Sequence, residues 1–232
     1  MLQIRKSDER GFADHGWLVA RHTFSFAGYY DPKHIQFRSL MVINEDRIQG
    51  KAGFGKHPHK NMEIISYVVK GGLLHEDTMG NKTTIRPGEV QSLSAGSGIQ
   101  HSEFNEFTDQ ETHLFQIWIL PNSLDQAPSY GQKSFESALS SEKIVLVASE
   151  GGRNGSISIR QDADMYVSRL KNGESLEFLV RSGRGVWLQM VSGQIQVNGL
   201  KLSAGDGLAV EITNQLTIVA ESHSEIIIFD LA

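Results

Sequence analysis

Glu63-Ile64-Ile65-Ser66-Tyr67-Val68-Val69-Lys70-Gly71-Gly72-Leu73-Leu74-His75-Glu76 reads as a strand, a glycine turn and a second strand. β-Branched and aromatic side chains dominate the first run, which stops at two glycines, and an apolar run resumes at once. The same pattern recurs on both sides of this hairpin. Short apolar or alternating runs lie at residues 39–42, 82–85, 90–94, 101–105 and 114–120. Others lie at 144–148, 157–160, 165–170, 185–191, 194–197, 207–210, 216–220 and 225–230. Arg86-Pro87-Gly88, Asn198-Gly199 and Ala204-Gly205-Asp206-Gly207 punctuate them, whereas helical periodicity is scarce. Many short strands with regular turn signals point to an all-β protein built as a sandwich or barrel.

The pattern occurs twice. Tyr67-Val68-Val69-Lys70-Gly71 followed by Pro87-Gly88-Glu89-Val90 is matched by Gln189-Met190-Val191-Ser192-Gly193 followed by Ala204-Gly205-Asp206-Gly207. In each, a strand ends at glycine, a hairpin follows, and a tight turn opens the next strand, which indicates an internal duplication. Between the halves, residues 121–143 are rich in Ser, Gln, Asn and Gly and carry Pro121 and Pro128. No strand pattern is visible there, so a linker with a short helix near 134–139 is expected. The expected organisation is a first domain over 1–122, a linker over 123–143 and a second domain over 144–232.

Composition narrows the chemistry. The 232 residues include nine His and no Cys, which excludes disulfides, iron–sulfur clusters, Cys-based zinc sites and a thiol nucleophile. Any metal must be held by His, Asp or Glu. A formal charge of −5 supplies no global field for nucleic acid. The polar Met1–Arg10 segment lacks the apolar core of a signal peptide, and no apolar window is long enough to span a membrane. No nucleic acid or membrane partner is expected, and the expected location is the cytoplasm.

The stretch that carries chemistry is Gly53-Phe54-Gly55-Lys56-His57-Pro58-His59-Lys60-Asn61-Met62-Glu63. Residues two apart on an extended segment face the same way, so His57 and His59 can grip one ion, and Glu63 shares their parity. Farther on, Gly98-Ile99-Gln100-His101-Ser102-Glu103 repeats the spacing of two. The two pairs on neighbouring strands would supply three imidazoles and one carboxylate. Such a set suits one divalent ion of iron, manganese, nickel, copper, cobalt or zinc. The carboxylate can be Glu63 or Glu103. His75 lies between the pairs and could hydrogen-bond a ligand, whereas His113, His22 and His34 read as structural and His223 as a loop residue. Phe24, Phe26, Tyr29 and Tyr30 fit a core, or the wall of a pocket for a flat ligand.

These residues resemble the two signature motifs of the cupin superfamily, and more narrowly the pirin family. The resemblance rests on His57-Pro58-His59 with Met62-Glu63, His75-X-Asp77, Gly80-Asn81 and Ala95-Gly96-X-Gly98-Ile99-X-His101-X-Glu103. His15-Gly16-Trp17-Leu18 and His22-Thr23-Phe24-Ser25-Phe26-Ala27 resemble the bacterial branch known for quercetinase activity. The resemblance implies a bicupin of two β-sandwich or jelly-roll barrel domains with metal in the first. It places the ligands on His57, His59, His101 and Glu103, favouring Glu103 over Glu63. It further implies a dioxygenase that takes a flavonol such as quercetin and dioxygen and releases carbon monoxide, with Glu103 able to accept the flavonol proton. The alternative it allows is a metal-binding co-regulator that acts through a protein partner without turnover. The 122-residue offset of the repeat sets Leu179, Arg181 and Gly185 opposite His57, His59 and Glu63, and the 117-residue offset that follows the shorter second hairpin sets Ile218 and Ala220 opposite His101 and Glu103. On that basis the second domain is expected to lack the metal site.

Overall fold

A computed structural model describes all 232 residues. The first half contains β1 (Leu2–Arg5), β2 (Gly11–Asp14), β3 (Leu18–His22), β4 (Leu40–Ile48), β5 (Gly53–His59) and β6 (Glu63–Lys70). It continues with β7 (Leu73–Asp77), β8 (Lys82–Ile85), β9 (Glu89–Ser94), β10 (Ile99–Asn105) and β11 (Thr112–Ile119). The connecting stretch holds β12 (Ser129–Ser134) and the short helix α1 (Glu136–Ser141). Then come β13 (Ile144–Glu150), β14 (Ile157–Ile159), β15 (Ala163–Leu170), β16 (Ser175–Leu179), β17 (Gly185–Ser192) and β18 (Gln194–Val197). β19 (Leu200–Ser203), β20 (Gly207–Val210), β21 (Gln215–Ala220) and β22 (Ser224–Leu231) complete the chain.

The strands form two seven-stranded and two four-stranded sheets. In the first half the orders are β12-β9-β6-β11-β4-β3-β2 and β5-β10-β7-β8; in the second, β1-β20-β17-β22-β15-β13-β14 and β16-β21-β18-β19. The orders correspond strand for strand, as expected of a duplicated cupin. Each sheet runs from one edge strand to another and no closed barrel is found, so both domains are sandwiches rather than barrels.

The stretch expected to be a plain linker is partly structural. β12 pairs antiparallel with β9 and completes the first large sheet. Reciprocally, β1 pairs with β20 and completes the second. The strand that precedes each domain is thus donated to the other, which covers an edge of each sheet. Both are short and polar or sparsely buried, which is why neither shows an alternating pattern.

The central strands of the second large sheet are apolar on both faces because both faces are covered. Ile65, Tyr67, Phe115 and Ile117 pack with Ile227, Phe229, Trp187 and Met165 in a core of 24 buried residues between the two domains. On the other face of the second large sheet, Leu188, Met190, Ile226 and Ile228 meet Ile195, Val197, Leu216 and Ile218 of its small sheet. The corresponding interior of the first domain is different. Residues of the same parity there include Asn44 and Asp46 on β4, Ser66 on β6, Gln91 on β9 and Gln116 on β11, all buried. A polar chamber inside an apolar fold is costly unless it holds something to satisfy it.

Candidate metal centre

β5 and β10 run side by side, with His57 opposite His101 and His59 opposite Ile99. Regular alternation along β10, paired without a break to β7, keeps His101 and Glu103 both inward, while the register shift beside them places an extra residue on β5. The close pairing depends on Gly53, where a Cβ would stand 2.2 Å from the Glu103 carbonyl oxygen and 2.5 Å from Phe104 Cα. Gly53→Ala is therefore expected to destabilise the fold by about 1–3 kcal/mol, as overpacked sites do. An unchanged urea-unfolding midpoint would contradict this close approach.

The rings of His57, His59 and His101 form a near-equilateral triangle, with centroid separations of 4.8, 4.5 and 4.8 Å. One nitrogen from each lies within 4.8 Å of the others. His57 Nδ1 donates to the Gly55 carbonyl at 2.8 Å, which leaves its Nε2 lone pair free. His101 is 1% exposed, and its Nε2 is buried with no hydrogen-bond partner. Burial pushes the His101 imidazole down to about 3, and the neighbouring His57 and His75 add to the shift. Burial likewise lowers His59 to about 4, helped by His101 and His57. Both rings are neutral near pH 7, the state in which imidazole binds metal.

Glu103 groups with His101 and His75, again within 4.8 Å, rather than with all three imidazoles of the triangle. Its Oε1 accepts from Ser66 Oγ at 3.2 Å and its Oε2 from Gln116 Nε2 at 2.6 Å. Deeper in the chamber, burial raises Asp46 to about 8, with the charges of Glu103 and Glu45 contributing. A protonated Asp46 leaves Glu103 without a second buried anion beside it. Glu63, the other carboxylate of matching parity, belongs to neither ligand group and faces the domain boundary. Its Oε2 accepts from Ser94 Oγ at 2.6 Å and from the Arg160 backbone N–H at 3.1 Å.

His75 is fully buried and faces His101, Nδ1 to Nδ1, at 3.4 Å. Three further histidines have partners outside the triangle: His22 pairs with Asn44, His34 with Asp31 and His113 with Glu45. The aromatic N-terminal segment divides between its two expected roles. Phe24 joins the interdomain core against Trp187, whereas Phe26 meets Trp118 edge-on, and Trp118 in turn meets His59 at 5.0 Å. Tyr29 covers Gly11 and accepts from Arg5, and Tyr30 is exposed. An open surface depression lined by Pro58, His59, Lys60, Thr78 and Gln100 borders the triangle at His59.

Sequence reading missed Ser66, Asp46, Gln116 and Trp118. The signal was present as lone polar residues on the inward parity of otherwise apolar strands, as in Leu114-Phe115-Gln116-Ile117. In the second domain the expected counterparts need correction. Strand pairing aligns Leu176 and Phe178, not Leu179 and Arg181, with His57 and His59, three residues earlier than uniform spacing places them. The cause is a longer connection from β16 to β17 than from β5 to β6. Leu179 is 71% exposed, and Arg181 binds Asp164 and Asp230. Ile218 and Ala220 do occupy the places of His101 and Glu103, both buried in an apolar core.

Three neutral or lone-pair-bearing imidazoles, an orphaned buried Nε2 and an adjacent carboxylate fit one divalent transition-metal ion. The model of the pirin family matches residues 3–119, and that of the quercetinase C-terminal cupin domain matches residues 146–231. The chain is 45% identical over 231 residues to quercetin 2,3-dioxygenase of Escherichia coli strain K12, covering 100% of this chain and 99% of that one. It is 41% identical over 233 residues to a pirin-like protein of Caulobacter vibrioides, covering 100% of each. Among solved structures, the bacterial pirin YhhW from Escherichia coli in complex with nickel(II) matches with a TM-score of 0.95 at 44% identity, covering 100% of this chain and 99% of that one. No helix of the chain is long and apolar enough to cross a membrane.

Proposed function

The chain belongs to the pirin family of cupins, and from that premise we propose that it is a metal-dependent dioxygenase that cleaves flavonols such as quercetin. The observation that carries the reading is the buried, unpartnered His101 Nε2 within a triangle of imidazoles that has the Glu103 carboxylate beside it. His57, His59, His101 and Glu103 are the proposed ligands for one ion. Bound there, a divalent transition metal supplies Lewis acidity toward a flavonol hydroxyl and lowers the cost of its deprotonation.

The protein's own groups do the rest. Glu103, held by Ser66 and Gln116, is the base that receives the flavonol hydroxyl proton. The resulting anion is electron-rich, and dioxygen is the oxidant. Both oxygen atoms enter the organic product as the central ring opens and one ring carbon leaves as carbon monoxide. Trp118 and Phe26, meeting edge-on next to His59, offer apolar surface for a flat ring system and exclude water from the anion. A cytoplasmic setting is part of the same proposal.

The test is reconstitution. Protein stripped with a chelator is loaded anaerobically with iron(II), nickel(II), copper(II), manganese(II), cobalt(II) or zinc(II), then given quercetin and dioxygen. The expected result is about one ion per chain and, for at least one metal, loss of flavonol absorbance with carbon monoxide release. Stoichiometric loading without turnover for every metal would reject the enzyme in favour of a metal-dependent binding protein.

A further inference from the structure

We propose that Asp77 and His75 form a buried relay that holds His101 in its Nδ1–H tautomer and so presents the Nε2 lone pair to the metal. The inference rests on the ligand role proposed above for His101. Asp77 and His75 are positioning residues that touch neither the ion nor the flavonol.

The relay is built by β7 running beside β10. Asp77 is opposite His101 in the ladder, and His75 is opposite Glu103. Asp77 Oδ2 lies 3.0 Å from His75 Nε2, and neither side chain has any exposed surface. The direction of each proton follows from counting donors and acceptors. Asp77 Oδ1 accepts from the backbone N–H groups of Met79 and Asn81, at 2.9 and 3.1 Å. Its Oδ2 accepts from Asn81 Nδ2 at 2.9 Å and from His75. Four donors converge on one carboxylate, so it can only accept, and His75 must give its Nε2–H.

A singly protonated His75 then has a bare lone pair at Nδ1, 3.4 Å from His101 Nδ1. One proton must lie between these two nitrogens, and it belongs to His101. The other tautomer of His101 would set two lone pairs against each other and bury an Nε2–H with no acceptor, since that atom has no partner in the protein. The relay tautomer instead leaves an Nε2 lone pair, which a cation satisfies. His57 reaches the same state by a local route through the Gly55 carbonyl. Tyr130 packs against the His75 ring at 5.0 Å and helps to fix its plane.

The second domain supplies an internal comparison. By strand pairing, Ile195 and Val197 stand where His75 and Asp77 stand, and Ile218 where His101 stands. The relay and the ligand it serves are both present in one domain and both absent from the other. An Asp77–His75 pair kept for core stability alone has no reason to follow the ligand in this way.

The experiment has two arms. In metal-free wild-type protein with ¹⁵N-labelled histidine, NMR is expected to show His101 protonated on Nδ1 and His75 on Nε2. His101 protonated on Nε2 would overturn the proposal without any variant. In the second arm, nickel(II) affinity is measured by chelator competition for His75→Phe and His75→Gln. The Phe variant removes the acceptor and is expected to bind about 10- to 100-fold more weakly, the usual cost of losing a group that orients a ligand. Gln retains a carbonyl that can accept from His101 Nδ1–H, and its affinity is expected to stay close to wild type. Equal affinity for the Phe variant and wild type, or equal weakening for Phe and Gln, would reject an orienting role. If wild-type protein binds nickel(II) with the expected tautomers but cleaves no flavonol, the relay stands and the proposed activity fails.

Discussion

His101→Ala is expected to fold and to lose stoichiometric metal binding. Four ligands share a binding free energy of about 10–16 kcal/mol in tight sites, so removing one weakens affinity roughly 100- to 1000-fold. The change leaves a small cavity and a buried His75 Nδ1 without its partner, a cost of about 1–3 kcal/mol, so the variant's unfolding temperature without metal is its own baseline. Nickel(II) is expected to raise the unfolding temperature of the wild type by mass action and to leave that of the variant unmoved at the same concentration. His113→Ala is the control. His113 is also buried but pairs with Glu45 at 3.0 Å, away from the triangle, so its loss should affect stability and leave the metal response intact. A metal-dependent thermal shift surviving in His101→Ala would mean that the ion is held elsewhere.

The second large effect concerns the two carboxylates. Glu103→Gln keeps the volume and removes the base, and its rate of flavonol cleavage at saturating metal is expected to fall by about 10²- to 10⁴-fold. Glu63→Gln should leave that rate near wild type and instead lower stability, because Glu63 accepts from Ser94 in its own sheet and from the Arg160 backbone N–H across the domain boundary. Measuring kcat and the urea midpoint for both variants separates the roles. The reverse pattern, with Glu63→Gln inactive and Glu103→Gln active, would reassign the carboxylate.

Much of this arrangement is visible along the chain, for definite reasons. Side-chain parity in an extended segment is local, so His57 and His59 are committed to one face by their spacing, as are His101 and Glu103. The duplicated turn pattern likewise foretells two similar sandwiches, and the absence of Cys restricts any metal to nitrogen and oxygen ligands. The donated strands are not visible in this way. β1 and β12 are pinned by partners distant in sequence, Val210 through Gly207 for one and Ser94 through Glu89 for the other, and their own residues are too polar or too few to signal it.

The choice between Glu63 and Glu103 could not come from parity, since both have it. What separates them is the surface each strand face meets: the start of β6 turns Glu63 to the other domain, whereas β10 runs along the small sheet with Glu103 facing the chamber, which supports Glu103 as the proposed ligand. The counterparts of the site in the second domain depended on loop length in the same way, and uniform spacing missed them by three residues on β16. By itself the sequence determined which residues could act together, because alternation along a strand follows from backbone geometry alone. Only the tertiary structure decided which of them do, and joined Asp77 and His75 to His101, because register between strands is set by packing and loop length far from the residues it brings together.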